Sequence, residues 1–96
     1  MKSFKIGNVT VGDNYPPVII VELGINHNGN LDMAIEMVDK AIDAGATIIK
    51  HQTHIVEDEM SYEAKKIIPA NSNKTIFDII KKCALIEKDE KKLMNH

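Results

Sequence analysis

The sequence predicts an α/β fold in which a short β-hairpin precedes one parallel strand–helix–strand unit. Three observations carry this reading. Ahead of a closing charge, residues 18–22 and 46–50 are β-branched or apolar at both odd and even positions. That is the pattern of strands covered on two faces in a parallel sheet, whereas a half-wet antiparallel strand would alternate. A stretch with helical spacing lies between them, and about 28 residues separate equivalent strand positions, the length of one βαβ crossover.

Each element follows from local chemistry. Phe4-Lys5-Ile6 and Val9-Thr10-Val11 flank Gly7-Asn8, a pair that tolerates the positive φ angles of a two-residue hairpin turn. Residues 12–17 are turn-forming, and Pro16-Pro17 hold the chain extended before the first central strand. Asn30 is placed to cap a helix over residues 31–44, with Leu31, Ile35, Val38 and Ile42 on its apolar face and Gly45 as its stop. After Lys50 the rhythm breaks: residues 51–61 read as a polar segment, 61–68 as weakly helical and 69–73 as loop. Helical spacing returns at Ile76, Ile79, Ile80 and Cys83, and again from Glu87 through Leu93. Met33, Met37, Met60, Met94 and Cys83 read as packing residues.

Composition excludes whole classes of function. The 96 residues carry a net charge of −2, and all twelve basic residues are Lys. Without Arg there is no bidentate fork to read guanine or clamp phosphate, so nucleic acid is not an expected partner. The longest apolar runs, residues 18–21 among them, are four residues long and fall far short of the roughly 20 that span a bilayer. The start Met-Lys-Ser-Phe-Lys also lacks the apolar core of a secretory signal, so no membrane association is expected. The single cysteine has no partner, which points to a reducing compartment, most simply the cytoplasm.

Chemistry in parallel α/β folds sits beyond the carboxyl ends of the strands, and both strands here end in a charge. Glu22 closes Val-Ile-Ile-Val, and Lys50 closes Thr-Ile-Ile. Residues two apart on an extended chain face the same way, so Lys50 shares a face with Gln52, and Glu22 with Ile20. If those faces point inward, an acid, an ammonium and an amide converge on one pocket mouth; the alternative is two solvated charges just past the sheet. A Lys there suits a phosphate or carboxylate as a compact point charge. The polar segment 26–30 is either an ordinary capped loop or a binding loop at a helix N-terminus. His51 and His54, three apart near an extended segment, fall on opposite faces and make a poor metal pair. Glu57-Asp58-Glu59 reads as a solvated loop.

The string Glu22-Leu-Gly-Ile-Asn-His-Asn-Gly29, followed by Ile49-Lys-His-Gln-Thr-His-Ile-Val-Glu-Asp-Glu-Met-Ser61, resembles the amino-terminal part of bacterial N-acetylneuraminate (sialic acid) synthases and their legionaminate and pseudaminate relatives. The second motif runs for thirteen residues, and the resemblance extends from Phe4 to the last helix. It implies that residues 1–96 are the start of a TIM (β/α)8 barrel: a hairpin over 1–12, the first βαβ unit over 18–50, and a long loop with helices over 51–96. Such a barrel takes about 250 residues, so it is expected to be incomplete within this chain and the chain alone inactive.

The resemblance further implies an enzyme that condenses phosphoenolpyruvate with N-acetylmannosamine or a related 2-acetamido sugar. C3 of phosphoenolpyruvate attacks the sugar aldehyde, water adds at C2, and the tetrahedral intermediate loses phosphate by C–O cleavage. Carried over by position, Lys50 contacts phosphoenolpyruvate, Gln52 lines the pocket between the two substrates, and Glu22 lies beside the sugar as a proton-transfer or orienting group. Asn71 matches a sugar-binding Asn, within Pro69-Ala70-Asn71 where many relatives carry Pro-Gly-Asn. A divalent metal, manganese or magnesium, and a homodimer are implied for the full-length enzyme, with no metal ligand inside these residues. Two other readings are a different phosphoenolpyruvate-dependent synthase of 3-deoxy sugar acids and a non-enzymatic truncated or degenerate product.

Overall fold

The structure, a computed structural model, describes residues 2–96. The chain opens on an antiparallel hairpin of β1 (Ser3–Ile6) and β2 (Val9–Gly12), paired from Ser3↔Gly12 to Ile6↔Val9. Gly7 alone in its turn takes a positive φ, +57°, as a turn with glycine at its first central position requires.

The second sheet pairs β3 (Ile20–Glu22) with β4 (Ile48–Lys50) in parallel, in the register Ile20↔Ile48, Val21↔Ile49 and Glu22↔Lys50. Helix α1 (Leu31–Asp43) crosses between them. Its N-terminus is fixed by Asn30, whose Oδ1 accepts the Met33 N–H at 3.0 Å, a cap worth about 1 kcal/mol. At the other end the Gly45 N–H donates to the Ile42 carbonyl and the Ala46 N–H to the Ala41 carbonyl, with Gly45 at φ +101°. This pair of bonds is the Schellman closure, and it needs a residue without a Cβ at the left-handed position.

Three further helices follow: a single turn α2 (Val56–Glu59), α3 (Ile76–Cys83) capped by the Thr75 hydroxyl, and α4 (Glu87–Asn95). The core is small. Ala34 of α1 is fully enclosed by Leu85, Leu93 of α4 and the half-buried Leu31, Ile35 and Val38. Leu23 and Val56 are buried separately. The radius of gyration, 16.8 Å, exceeds the value of about 12.5 Å expected for a compact domain of this length. No helix among the described residues is long and apolar enough to cross a membrane.

Several expected boundaries shift, each for a physical reason. The strands shorten to three residues each, because the Ala46 N–H is already spent on the helix stop and the ladder starts only where both chains can pair. One face of the sheet is bare rather than both being covered, and Ile20 is 49% exposed. The Glu57-Asp58-Glu59 run is not loop but most of α2, and the helical pattern over 61–68 yields only a 3₁₀ turn, Ala64–Lys66. Ile42 lies outside the packed face of α1, with Ala34 inside it instead. Met33 and Met94 are exposed, and Cys83 is half-buried rather than a core residue.

Gly29 supplies a test of this packing. It has φ +75°, and a Cβ there would stand 2.8 Å from the Lys82 carbonyl oxygen at the end of α3, whereas a Cβ at Gly7 would meet open space. Both Gly→Ala substitutions carry the left-handed penalty, but only Gly29→Ala adds a backbone clash. Gly29→Ala should therefore cost at least about 1 kcal/mol more than Gly7→Ala, roughly 4–8 °C in thermal melts of the two variants. Equal melting temperatures would show that the loop does not seat against α3.

Candidate functional site

The register of the parallel pair builds the site. Because Glu22 stands opposite Lys50 at the carboxyl ends of β3 and β4, their side chains meet, with Lys50 Nζ donating to Glu22 Oε1 at 3.2 Å. Both are well exposed, at 55% and 65% of their side-chain surface. An exposed pair of this kind contributes at most about 1 kcal/mol, so stability does not account for its position.

Strand alternation separates two faces. Val21 and Leu23 share a cleft with Met33, Met37 and Ala41 of α1, which Glu22 also lines at the end of β3, and Ile49 shares another with Val38. The helix layer therefore lies on the odd-numbered side, and Ile20, Glu22, Ile48 and Lys50 occupy the other. The alternation continues past β4, where His51 and Thr53 both reach Glu90 of α4. That leaves Gln52, which is exposed, on the side of Lys50. Asn71 is exposed in a turn where the Ser72 N–H donates to the Pro69 carbonyl, and it forms no hydrogen bond to Glu22, Lys50 or Gln52. Ala70 in that turn is not in the left-handed region, so nothing in the backbone demands the glycine of the Pro-Gly-Asn form.

Between the strands, residues 24–29 fold into successive turns that consume their own polar groups. Asn26 Nδ2 donates to the Leu23 carbonyl at 3.0 Å, and the Gly29 N–H donates to His27 Nδ1 at 3.1 Å. With Asn30 spent on the helix cap, the segment is structural in its hydrogen bonding. His27, only 1% exposed, is the largest surprise relative to the sequence reading, which treated it as one polar residue of a loop. Its ring lies 5.5 Å from that of His51. His51 Nε2 and Glu90 Oε2 are 2.8 Å apart, and the Thr53 hydroxyl donates to the same oxygen at 3.1 Å. His54 pairs with Glu59 at 2.9 Å, so the two histidines turn to different carboxylates. Among the described residues no three His, Cys, Asp or Glu side chains are disposed to hold a metal ion. Two clefts open on the helix side, one of about 490 Å³ between Val38, Ile49, His51, Glu90 and Leu93 and one of about 540 Å³ between Val21, Glu22, Leu23, Met33 and Met37; Lys50 lines neither.

These features can be set beside known proteins. Residues 37–96 match the NeuB family. The chain belongs to that family. It is 50% identical over 52 residues to the spore coat polysaccharide biosynthesis protein SpsE of Bacillus subtilis, covering 54% of this chain and 14% of that protein. It is 31% identical over 83 residues to the N,N'-diacetyllegionaminic acid synthase of Campylobacter jejuni, covering 82% of this chain and 25% of that one. The crystal structure of N-acetylneuraminic acid (sialic acid) synthetase from Leptospira borgpetersenii superposes with a TM-score of 0.74 at 31% identity, over 98% of this chain and 30% of its own. The α/β fold seen here is therefore the fold of the matching part of a NeuB-family synthase. The chain spans a quarter or less of the length of these two curated relatives.

Burial of His27 gives the NeuB-family segment a pH signature. Desolvation, then the ring of His51, holds His27 below the ordinary imidazole range; Glu90 pulls the other way and His54 adds to the lowering. A base with a depressed folded pKa contributes stability above its unfolded pKa, about 6.5. That stability is lost as the pH falls toward and through the folded value. Urea midpoints of the wild type should thus decline as the pH is lowered from about 6.5, and His27→Gln should flatten that decline. An unchanged slope would place its origin elsewhere.

Proposed function

We propose that this chain forms the first two βα units of a TIM-barrel synthase that condenses phosphoenolpyruvate with N-acetylmannosamine or a related 2-acetamido sugar, releasing phosphate and a nonulosonic acid. The observation that carries this reading is the Glu22–Lys50 pair, placed by strand register at the carboxyl ends of two parallel strands on the face away from α1. In a barrel that face is the interior, and ligands gather at its carboxyl-terminal rim. The synthases named among the relatives support the reaction class.

In this reading Lys50 holds phosphoenolpyruvate through its charge, and Glu22 keeps the ammonium oriented in the absence of substrate. Once an anion occupies the Lys50 side, Glu22 is free to orient the sugar or to move a proton at the reacting centre. Gln52 supplies an amide between the two substrates, and Asn71 contacts the sugar after its loop is brought in by the rest of the barrel. A divalent metal, manganese or magnesium, activates the sugar aldehyde when bound. Among the described residues no three His, Cys, Asp or Glu side chains would hold it together, and its ligands would belong to the remainder of the synthase. The complete enzyme acts as a cytoplasmic homodimer, without nucleic-acid or membrane partners.

Lys50→Ala and Glu22→Gln in the complete synthase test the assignment together. Lys50→Ala should raise KM for phosphoenolpyruvate about tenfold or more while shifting stability by less than about 1 kcal/mol, because the ion pair is exposed. Glu22→Gln should lower kcat by more than about threefold. Unchanged kinetics at Lys50 would remove the phosphoenolpyruvate role, and a smaller effect at Glu22 would remove proton transfer. The purified 96-residue chain should form no nonulosonic acid from these substrates by itself; product formation above a no-protein control would contradict the view that the site needs the remaining strands.

A further inference from the structure

The polar cluster on the helix side of β4 is not used by the proposed reaction, yet His51 and Thr53 are the immediate chain neighbours of Lys50 and Gln52. Lys50 and Gln52 face the bare side of the sheet; His51 and Thr53 face α4, where a single carboxylate oxygen, Glu90 Oε2, lies 2.8 Å from His51 Nε2 and 3.1 Å from the Thr53 hydroxyl. A carboxylate is acceptor-only, so both residues donate to it. The His51–Glu90 arm is largely enclosed, at 18% and 13% exposed, while Thr53 is exposed. The His27 ring, itself buried, stands behind His51.

Such a cluster is costly in a chain with so small a core. Glu90 Oε1, His51 Nδ1 and His27 Nε2 are buried without a hydrogen-bond partner among the described residues, and each unpaired group carries a desolvation penalty. An apolar residue at position 90 would remove the orphaned Oε1 but would leave the enclosed His51 Nε2 without its partner. What the carboxylate adds is geometry: it ties residues i and i+2 of the segment after β4 to one point on α4, which fixes the directions of the intervening and preceding side chains.

We propose that Glu90 is a positioning residue for Lys50 and Gln52, acting through His51 and Thr53. The substrate half of this statement rests on the function proposed above; the clasp itself rests only on geometry. Three variants of the complete synthase test it: Glu90→Leu, which fills the space without an acceptor, Glu90→Gln, which keeps an acceptor oxygen, and Thr53→Val, which removes one arm at constant volume.

Hydrogen exchange read by mass spectrometry over residues 49–55 reports the clasp, and phosphate release reports catalysis. Glu90→Leu should speed exchange there tenfold or more and raise KM for phosphoenolpyruvate about tenfold, with Glu90→Gln restoring both to within threefold of wild type. Thr53→Val should shift both in the same direction by about threefold, and it decides the matter if Glu90→Leu fails to fold. Unchanged exchange in the variants overturns the clasp. Faster exchange with unchanged KM, while Lys50→Ala is impaired, overturns positioning and leaves the proposed function standing. An unimpaired Lys50→Ala overturns the proposed function and the substrate half of this inference with it.

Discussion

The three-rung parallel ladder between β3 and β4 is the constraint on which the rest of the structure depends. Its register is set at both ends of the crossover: Asn30 starts α1 and the Gly45 closure stops it, so the chain re-enters the sheet with Ile48 beside Ile20. A slip of one residue would turn every side chain of one strand to the other face. Lys50 would then face the helices and Ile49 would take its place beside Glu22. The caps on α1 thus act on the candidate site from more than one turn of chain away.

Two layers of polar chemistry flank this ladder, and they differ in cost. On the bare face, Glu22 and Lys50 are exposed and nearly neutral for stability. On the helix face, His27, His51 and Glu90 are enclosed and incompletely paired, a placement that opposes folding unless it fixes something. The enclosed layer makes sense as support for the exposed one. In the proposed barrel, the open face, with Ile20 half out in solvent beside Glu22, is the surface that further strands would enclose.

Much of this was legible in the sequence, because caps, turns and apolar runs are local. Asn30, Gly45 and the Gly7-Asn8 turn act within a few residues of themselves. Glu22 and Lys50 announced themselves as charges that end apolar runs. Strand alternation further implied that Gln52 joins Lys50, whereas the pairing of His51 and Thr53 on the opposite side emerges only in the structure. Their partner was not legible: Glu90 lies 39 residues from His51, on a helix whose docking depends on Leu93 and Leu85 meeting Ala34. Nor was the burial of His27, which follows from the tight turns of residues 24–29 beneath α3 rather than from any pattern of hydropathy. The acidic run at 57–59 looked like solvated loop because charge outweighed the single buried Val56 that anchors α2.

The most direct test of the account is a crystal structure of the complete synthase with phosphoenolpyruvate bound and no sugar present. The predicted result is a phosphate or carboxylate oxygen within about 2.7–3.2 Å of Lys50 Nζ, on the face of β3 and β4 away from α1, with Glu22 beside it. Phosphoenolpyruvate bound elsewhere, or Lys50 directed toward the helix layer, would contradict the account.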